Sequence, residues 1–131
     1  MAYRIPEDLR YSSTHEWARL EGDTVVVGIT DYAQARLGDI VYVELPEVGE
    51  SYAQGETFGV VESVKATSDL YAPMAGTVLA VNETLVDDPS AVNRDPYGEG
   101  WLVRFSISNA AEWEALLDAA AYAQLLEEGG H

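Results

Sequence analysis

The sequence contains no cysteine. That excludes a disulfide framework, a thiolate nucleophile and any cysteine-based metal site. Long apolar runs are missing too, and no segment approaches the length of a membrane span. Residues Met1 to Arg10 lack the apolar core of a signal peptide and carry acids that a transit peptide would avoid. A soluble, cytoplasmic protein is expected. Positive charge is scarce: 7 basic residues against 23 acidic ones leave a formal net charge of −16. Nucleic acid and anionic membrane are therefore not expected as partners, because phosphate binding needs clustered lysine and arginine. Steering toward basic protein surfaces is favoured instead, an effect that salt should weaken.

What is present suits a globular domain. Hydrophobic residues make up 47% and charged residues 23% of the 131, enough for a real core in a single domain spanning residues 1–131. Thr24 to Ile29 is a β-branched run, and Asp39 to Leu45 alternates until Pro46 stops it. Thr57 to Val64 and Ser68 to Ala72 are apolar runs separated by very few residues, a hairpin signal over about 57–72. Thr77 to Val81 and Trp101 to Ile107 complete the strands. Glycine and proline punctuate them at short intervals, as in a sandwich or barrel. Gly38 to Val43 echoes Gly76 to Val81, which suits two strand units related by an approximate two-fold in a small flattened sandwich.

Helix is confined to a few places. Thr30-Asp31, followed by Tyr32, Ala33, Ala35 and Arg36, suits a short capped one that Gly38 stops. Asn93 to Gly100 is turn chemistry, with Asp95-Pro96-Tyr97-Gly98 at its centre. A C-terminal helical segment is expected over about 109–128, with Asn109 and Glu112 as a capping box. Trp113, Leu116, Leu117 and Ala120 mark its apolar face, and Gly129-Gly130 ends it. Its expected role is to cover a sheet edge or face.

Of the basic residues only Lys65 is a lysine; the others are Arg4, Arg10, Arg19, Arg36, Arg94 and Arg104. A genome rich in arginine and alanine codons would explain the scarcity, but not where the remaining lysine sits. Pairing the two hairpin runs about a two-residue turn puts Lys65 and Ala66 at the centre, Val61 opposite Leu70 and Glu62 opposite Asp69. No Asn-Gly pair fixes that register. Like charges directly opposite destabilise a sheet, so Glu62 and Asp69 are either screened by water or form a recognition surface around the lysine. A Schiff-base lysine needs desolvation or a neighbouring cation to lower its pKa. A protruding tip beside two carboxylates offers the opposite. The position suits a lysine that another enzyme must reach and modify.

Glu62-Ser63-Val64-Lys65 with Ser68-Asp69, then Ala72-Pro73 and Gly76, resembles the lipoyl-attachment segment of the glycine cleavage system H proteins. The resemblance continues through His15-Glu16-Trp17, Val27 to Gln34, Leu37-Gly38-Asp39 and Glu44-Leu45-Pro46. It returns in Val92-Asn93, Asp95 to Gly98, Gly100-Trp101 and the closing helix. It implies a mainly β, flattened β-sandwich, a barrel-sandwich hybrid of the lipoyl-domain type with a few short helices and a C-terminal helix. It also implies lipoic acid in amide linkage to Lys65, with Glu62, Gly76 and Asp69 helping a lipoylating enzyme recognise the hairpin. The implied role is that of a non-catalytic carrier of an aminomethyl group in glycine catabolism; separately, a monomer is expected. The implied partners are a pyridoxal-phosphate glycine decarboxylase, a tetrahydrofolate-dependent aminomethyltransferase and dihydrolipoamide dehydrogenase. Thr67, Met74 and Asp87-Asp88 depart mildly from the family pattern.

Rival readings are a biotin carrier, a lipoyl domain of a 2-oxoacid dehydrogenase, an H-like relay of lipoate to other enzymes or a sulfur pathway, and an enzyme. Biotin carriers set their lysine between methionines, whereas Lys65 has Val64 and Ala66. The dehydrogenase domains belong to longer chains with an acyltransferase domain. For an enzyme, His15 beside Glu16 would be the base and its orienting acid, but adjacent strand residues point to opposite faces. His15 is expected to pack or cap, Trp17, Trp101 and Trp113 to lie in the core, and the carboxylates show no metal-ligand spacing.

Overall fold

Two antiparallel sheets carry the chain in the computed structural model, which describes residues 3–129. In chain order the elements are β1 (Arg10–Tyr11), β2 (Glu16–Glu21), β3 (Thr24–Ile29), α1 (Asp31–Leu37), β4 (Ile40–Glu44), β5 (Ser51–Tyr52), β6 (Thr57–Ser63) and β7 (Thr67–Tyr71). There follow β8 (Gly76–Val81), α2 (Thr84–Asp87), α3 (Ala91–Arg94), β9 (Val103–Ser106), α4 (Ala111–Ala115) and α5 (Ala119–Glu127). One sheet is six-stranded, β1-β2-β3-β9-β8-β5; the other is three-stranded, β4-β6-β7. The core lies between them. Val25, Val27, Val78, Val103 and Phe105 from the first sheet meet Ile40, Val43, Phe58, Val61 and Leu70 from the second. The echoed segments fall in β4 and β8, one in each sheet, as a two-unit sandwich requires.

The strands expected from apolar runs are all present within two residues of their expected ends, whereas β1, β2 and β5 were not expected. Strand β2 hides its period because Glu16, Trp17 and Ala18 are buried in succession. Ala18 belongs to the inter-sheet core, and Trp17 to a second cluster with Leu9, Tyr11, Val26 and Tyr122 on the outer side. With both faces covered, alternation no longer marks a strand.

The C-terminal segment differs from expectation in being two helices. Leu117 leaves the helical path to exchange backbone hydrogen bonds with Tyr11, 2.8 Å in each direction. Asp118 then restarts α5 by accepting from the Ala121 N–H at 2.8 Å. Asn109 does accept from the Ala111 N–H, at 3.1 Å. Glu112, however, makes no capping box: its carboxylate takes the Ala75 N–H at 2.7 Å instead. Ala120 is exposed and Tyr122 is the buried residue of α5. The segment covers the β1 edge, as expected. Gly130 and His131 lie outside the described residues. Asn93 and Arg94 close the helical turn α3, so the expected turn begins only at Asp95.

Candidate functional site: the lysine hairpin

The hairpin β6–β7 pairs Glu62 with Thr67, Val61 with Ser68 and Val60 with Asp69. The turn is therefore one residue earlier than expected, with Val64 and Lys65 at its centre. This corrects the opposition of Glu62 to Asp69. They lie diagonally on one outward face, both exposed, so their repulsion is weaker than in a direct pair. A serine supplies the register signal that an Asn-Gly pair would otherwise give. The Ser63 Oγ accepts from the N–H groups of Ala66 at 3.0 Å and Lys65 at 3.3 Å, while the Ser63 N–H donates to the Ala66 carbonyl at 2.7 Å.

Lys65 is exposed, and its ammonium makes no ion pair or hydrogen bond among the described residues. Its stem leans on Gly38, where a Cβ would stand 3.4 Å from the lysine Cε. Gly38 has φ +81°, which glycine adopts freely, and its N–H closes α1 on the Gln34 carbonyl at 3.0 Å. Asn93 pins this turn from below. Its amide donates to the Gly38 carbonyl at 2.9 Å and to Gln34 at 3.0 Å, and its oxygen accepts the Ile40 N–H at 2.9 Å. The Val64 N–H reaches the Asp39 carbonyl at 3.1 Å, so tip and turn form one unit. An amine held out in water on a fixed turn, with a bare glycine beneath its stem, fits amide attachment of a long acyl group.

Gly76 lies elsewhere. It opens β8 in the other sheet, buried, where a Cβ would overlap the Ser106 carbonyl oxygen. Its lack of a side chain is thus required by packing. The structure brings together Lys65, Glu62 and Asp69, and not Gly76.

Sequence reasoning missed Asn93 as a support and Glu16 as a buried acid. Glu16 is 1% exposed. Its carboxylate accepts from the hydroxyls of Ser12, at 2.5 Å, and Thr14, and from the Tyr71 N–H at 3.1 Å. Burial pushes its pKa up to about 7, and those three donors hold it below where burial alone would take it. The serine and threonine just before Glu16 were its only local signal. His15 packs as expected: its Nδ1 lies 2.8 Å from the Tyr122 hydroxyl and its ring against Tyr32. Trp17 is buried, its indole N–H on the Pro96 carbonyl at 2.9 Å, so the Asp95–Gly98 turn is a lid on the core. A cleft of about 200 Å³ opens between α1, the Thr14–His15 turn and Ser68 of the hairpin. Among the described residues no cluster of acids or histidines could hold a metal, and no helix is long and apolar enough to cross a membrane.

The glycine cleavage H-protein family model matches residues 9–129. The chain belongs to that family. It is 60% identical over 123 residues to the glycine cleavage system H protein of Opitutus terrae, covering 93% of this chain and 97% of that one. The H protein of Anaeromyxobacter sp. (strain K) is 57% identical over 124 residues, 95% of this chain and 97% of its own. A crystal structure of a glycine cleavage system H protein from Mycobacterium marinum superposes with a TM-score of 0.86 at 45% identity, covering 94% of this chain and 99% of that one. The fold is accordingly the lipoyl-type sandwich. The chain is a lipoyl carrier of the glycine cleavage system, not a catalyst, and works with that system's enzymes. Its cofactor is lipoate, covalently bound as lipoyl-lysine.

Proposed function

We propose that Lys65 is the lipoyl attachment site and that the chain acts as one carrier unit, monomeric and cytoplasmic. The observation that carries this is the position of the sequence's sole lysine, exposed at the tip of a braced turn with no ion pair among the described residues. When bound, lipoate supplies a disulfide–dithiol couple that can carry an aminomethyl group. The chain's own residues do the rest. Ser63, Asp39 and Asn93 hold the turn, so the arm pivots from a fixed point, and tethering raises its effective concentration at each partner. Glu62 and Asp69 offer a lipoylating enzyme two carboxylates beside the target amine. Gly76 contributes to that recognition only through the backbone shape its packing permits. Tyr32, Leu37 and Ser68 line the nearby cleft and would shield a folded-back arm from water.

The partners in this reading are the pyridoxal-phosphate glycine decarboxylase that loads the carrier, the tetrahydrofolate-dependent aminomethyltransferase that unloads it and the dihydrolipoamide dehydrogenase that reoxidises it. A Lys65→Arg variant supplied with all three enzymes and a lipoylating enzyme should show no glycine-dependent turnover above background. Turnover at the wild-type rate would overturn the assignment.

A further inference from the structure

Strand β4 breaks the rule of alternation beside the lysine. A register shift between Ile40 and Tyr42 inserts Val41 as a bulge, so buried Ile40 is followed by two outward side chains. Val41 is 52% and Tyr42 49% exposed. Val64, on the turn itself, is 70% exposed, and Val86 on α2 is 69% exposed. The elements that carry them are neighbours in the fold. Tyr42 pairs with Glu62, the Val64 N–H bonds to Asp39, and α2 packs on β4. Around them stand the exposed acids Asp39, Glu44, Glu62, Glu83 and Asp87. The segments 39–44, 62–66 and 83–88 contain no cation besides Lys65.

We propose that Val41, Tyr42, Val64 and Val86 form the docking surface for the glycine decarboxylase, whose matching face is an apolar patch rimmed by lysine and arginine. The proposal rests on the carrier reading above and deepens it. Apolar side chains left in water beside a reactive tip mark an interface core, and a charged rim adds steering and register. The acid rim on a chain of net charge −16 opposes a second copy, nucleic acid or an anionic membrane as occupant. Continuity with Lys65 is the further argument: any enzyme that receives the arm must cover the ground around its root.

The test is a triple variant, Val41→Thr, Val64→Thr and Val86→Thr, lipoylated and titrated against purified glycine decarboxylase. Threonine keeps the β-branched shape and replaces a methyl by a hydroxyl at exposed sites, so the melting temperature serves as the folding control. Expected are a Kd and a KM for the carrier raised at least about 10-fold, with kcat at saturation unchanged. Val48→Thr with Leu79→Ser, exposed apolar residues away from the tip, should change neither. An unchanged KM in the folded triple variant overturns the docking surface. So does sedimentation showing that wild type self-associates through this face and the variant does not. Failure of the carrier reading would look different, because wild type itself would then support no turnover.

Discussion

The hairpin β6–β7 carries a charged group at one end and is braced by a buried acid at the opposite end. At the tip, Lys65 stands in water with no ion pair among the described residues. At the far end, the backbone of Tyr71 donates to Glu16, an acid from the other sheet that is 1% exposed and whose pKa is pushed up to about 7. The cation makes no ion pair among the described residues, and on the reading proposed above it is the attachment point of the carrier group. The carboxylate ties one sheet to the other at a desolvation cost that three donors only partly offset. On the proposed reading the modified group sits where the chain has little packing to lose, so a lysine at this tip could be modified without disturbing the sandwich.

Three substitutions sharpen that contrast. The largest effect should come from Gly76, on the packed side. Gly76→Ala forces a Cβ into the Ser106 carbonyl and should lower unfolding free energy by about 3 kcal/mol, read from denaturant midpoints. An alanine variant as stable as wild type would leave recognition alone to account for the glycine.

Glu16 should make stability depend on pH. Its folded-state pKa of about 7 exceeds the ordinary 4.5, so the folded chain keeps a proton that the unfolded chain releases as pH rises. The stability tied to that proton is full below about pH 4.5 and is lost as pH rises through 7. Relative to Glu16→Gln, wild type should lose on the order of 3 kcal/mol between pH 4.5 and 8. Parallel stability curves for the two proteins would mean that the carboxylate is not desolvated. The smallest effect is expected at the tip, where Lys65→Arg should shift unfolding free energy by no more than about 0.5 kcal/mol. A larger loss would show that the lysine is part of the packing.

Local chemistry was legible in the sequence, and long-range contact was not. Thr30 and Gly38 bound α1 as their capping chemistry dictates, the Thr30 hydroxyl accepting from Ala33 and Gly38 adopting φ +81°. The lysine hairpin was legible as well, because its two runs lie close in sequence. Its register slipped by one turn residue because the signal was the Ser63 hydroxyl. Glu16 could not be singled out, since its importance comes from Tyr71, 55 residues away. For the same reason one helix was expected where Leu117 breaks the path to pair with Tyr11. Gly76 was assigned to recognition through family resemblance, while its packing against Ser106 needed the neighbouring strand to be seen.

The most direct measurement is the intact mass of the chain co-expressed with a lipoylating enzyme and lipoate, followed by mapping of the modified peptide. One lipoyl increment, confined to the peptide containing Lys65 and absent from Lys65→Arg, is the predicted result. A folded protein that gains no increment, or gains one on another peptide, would contradict the account.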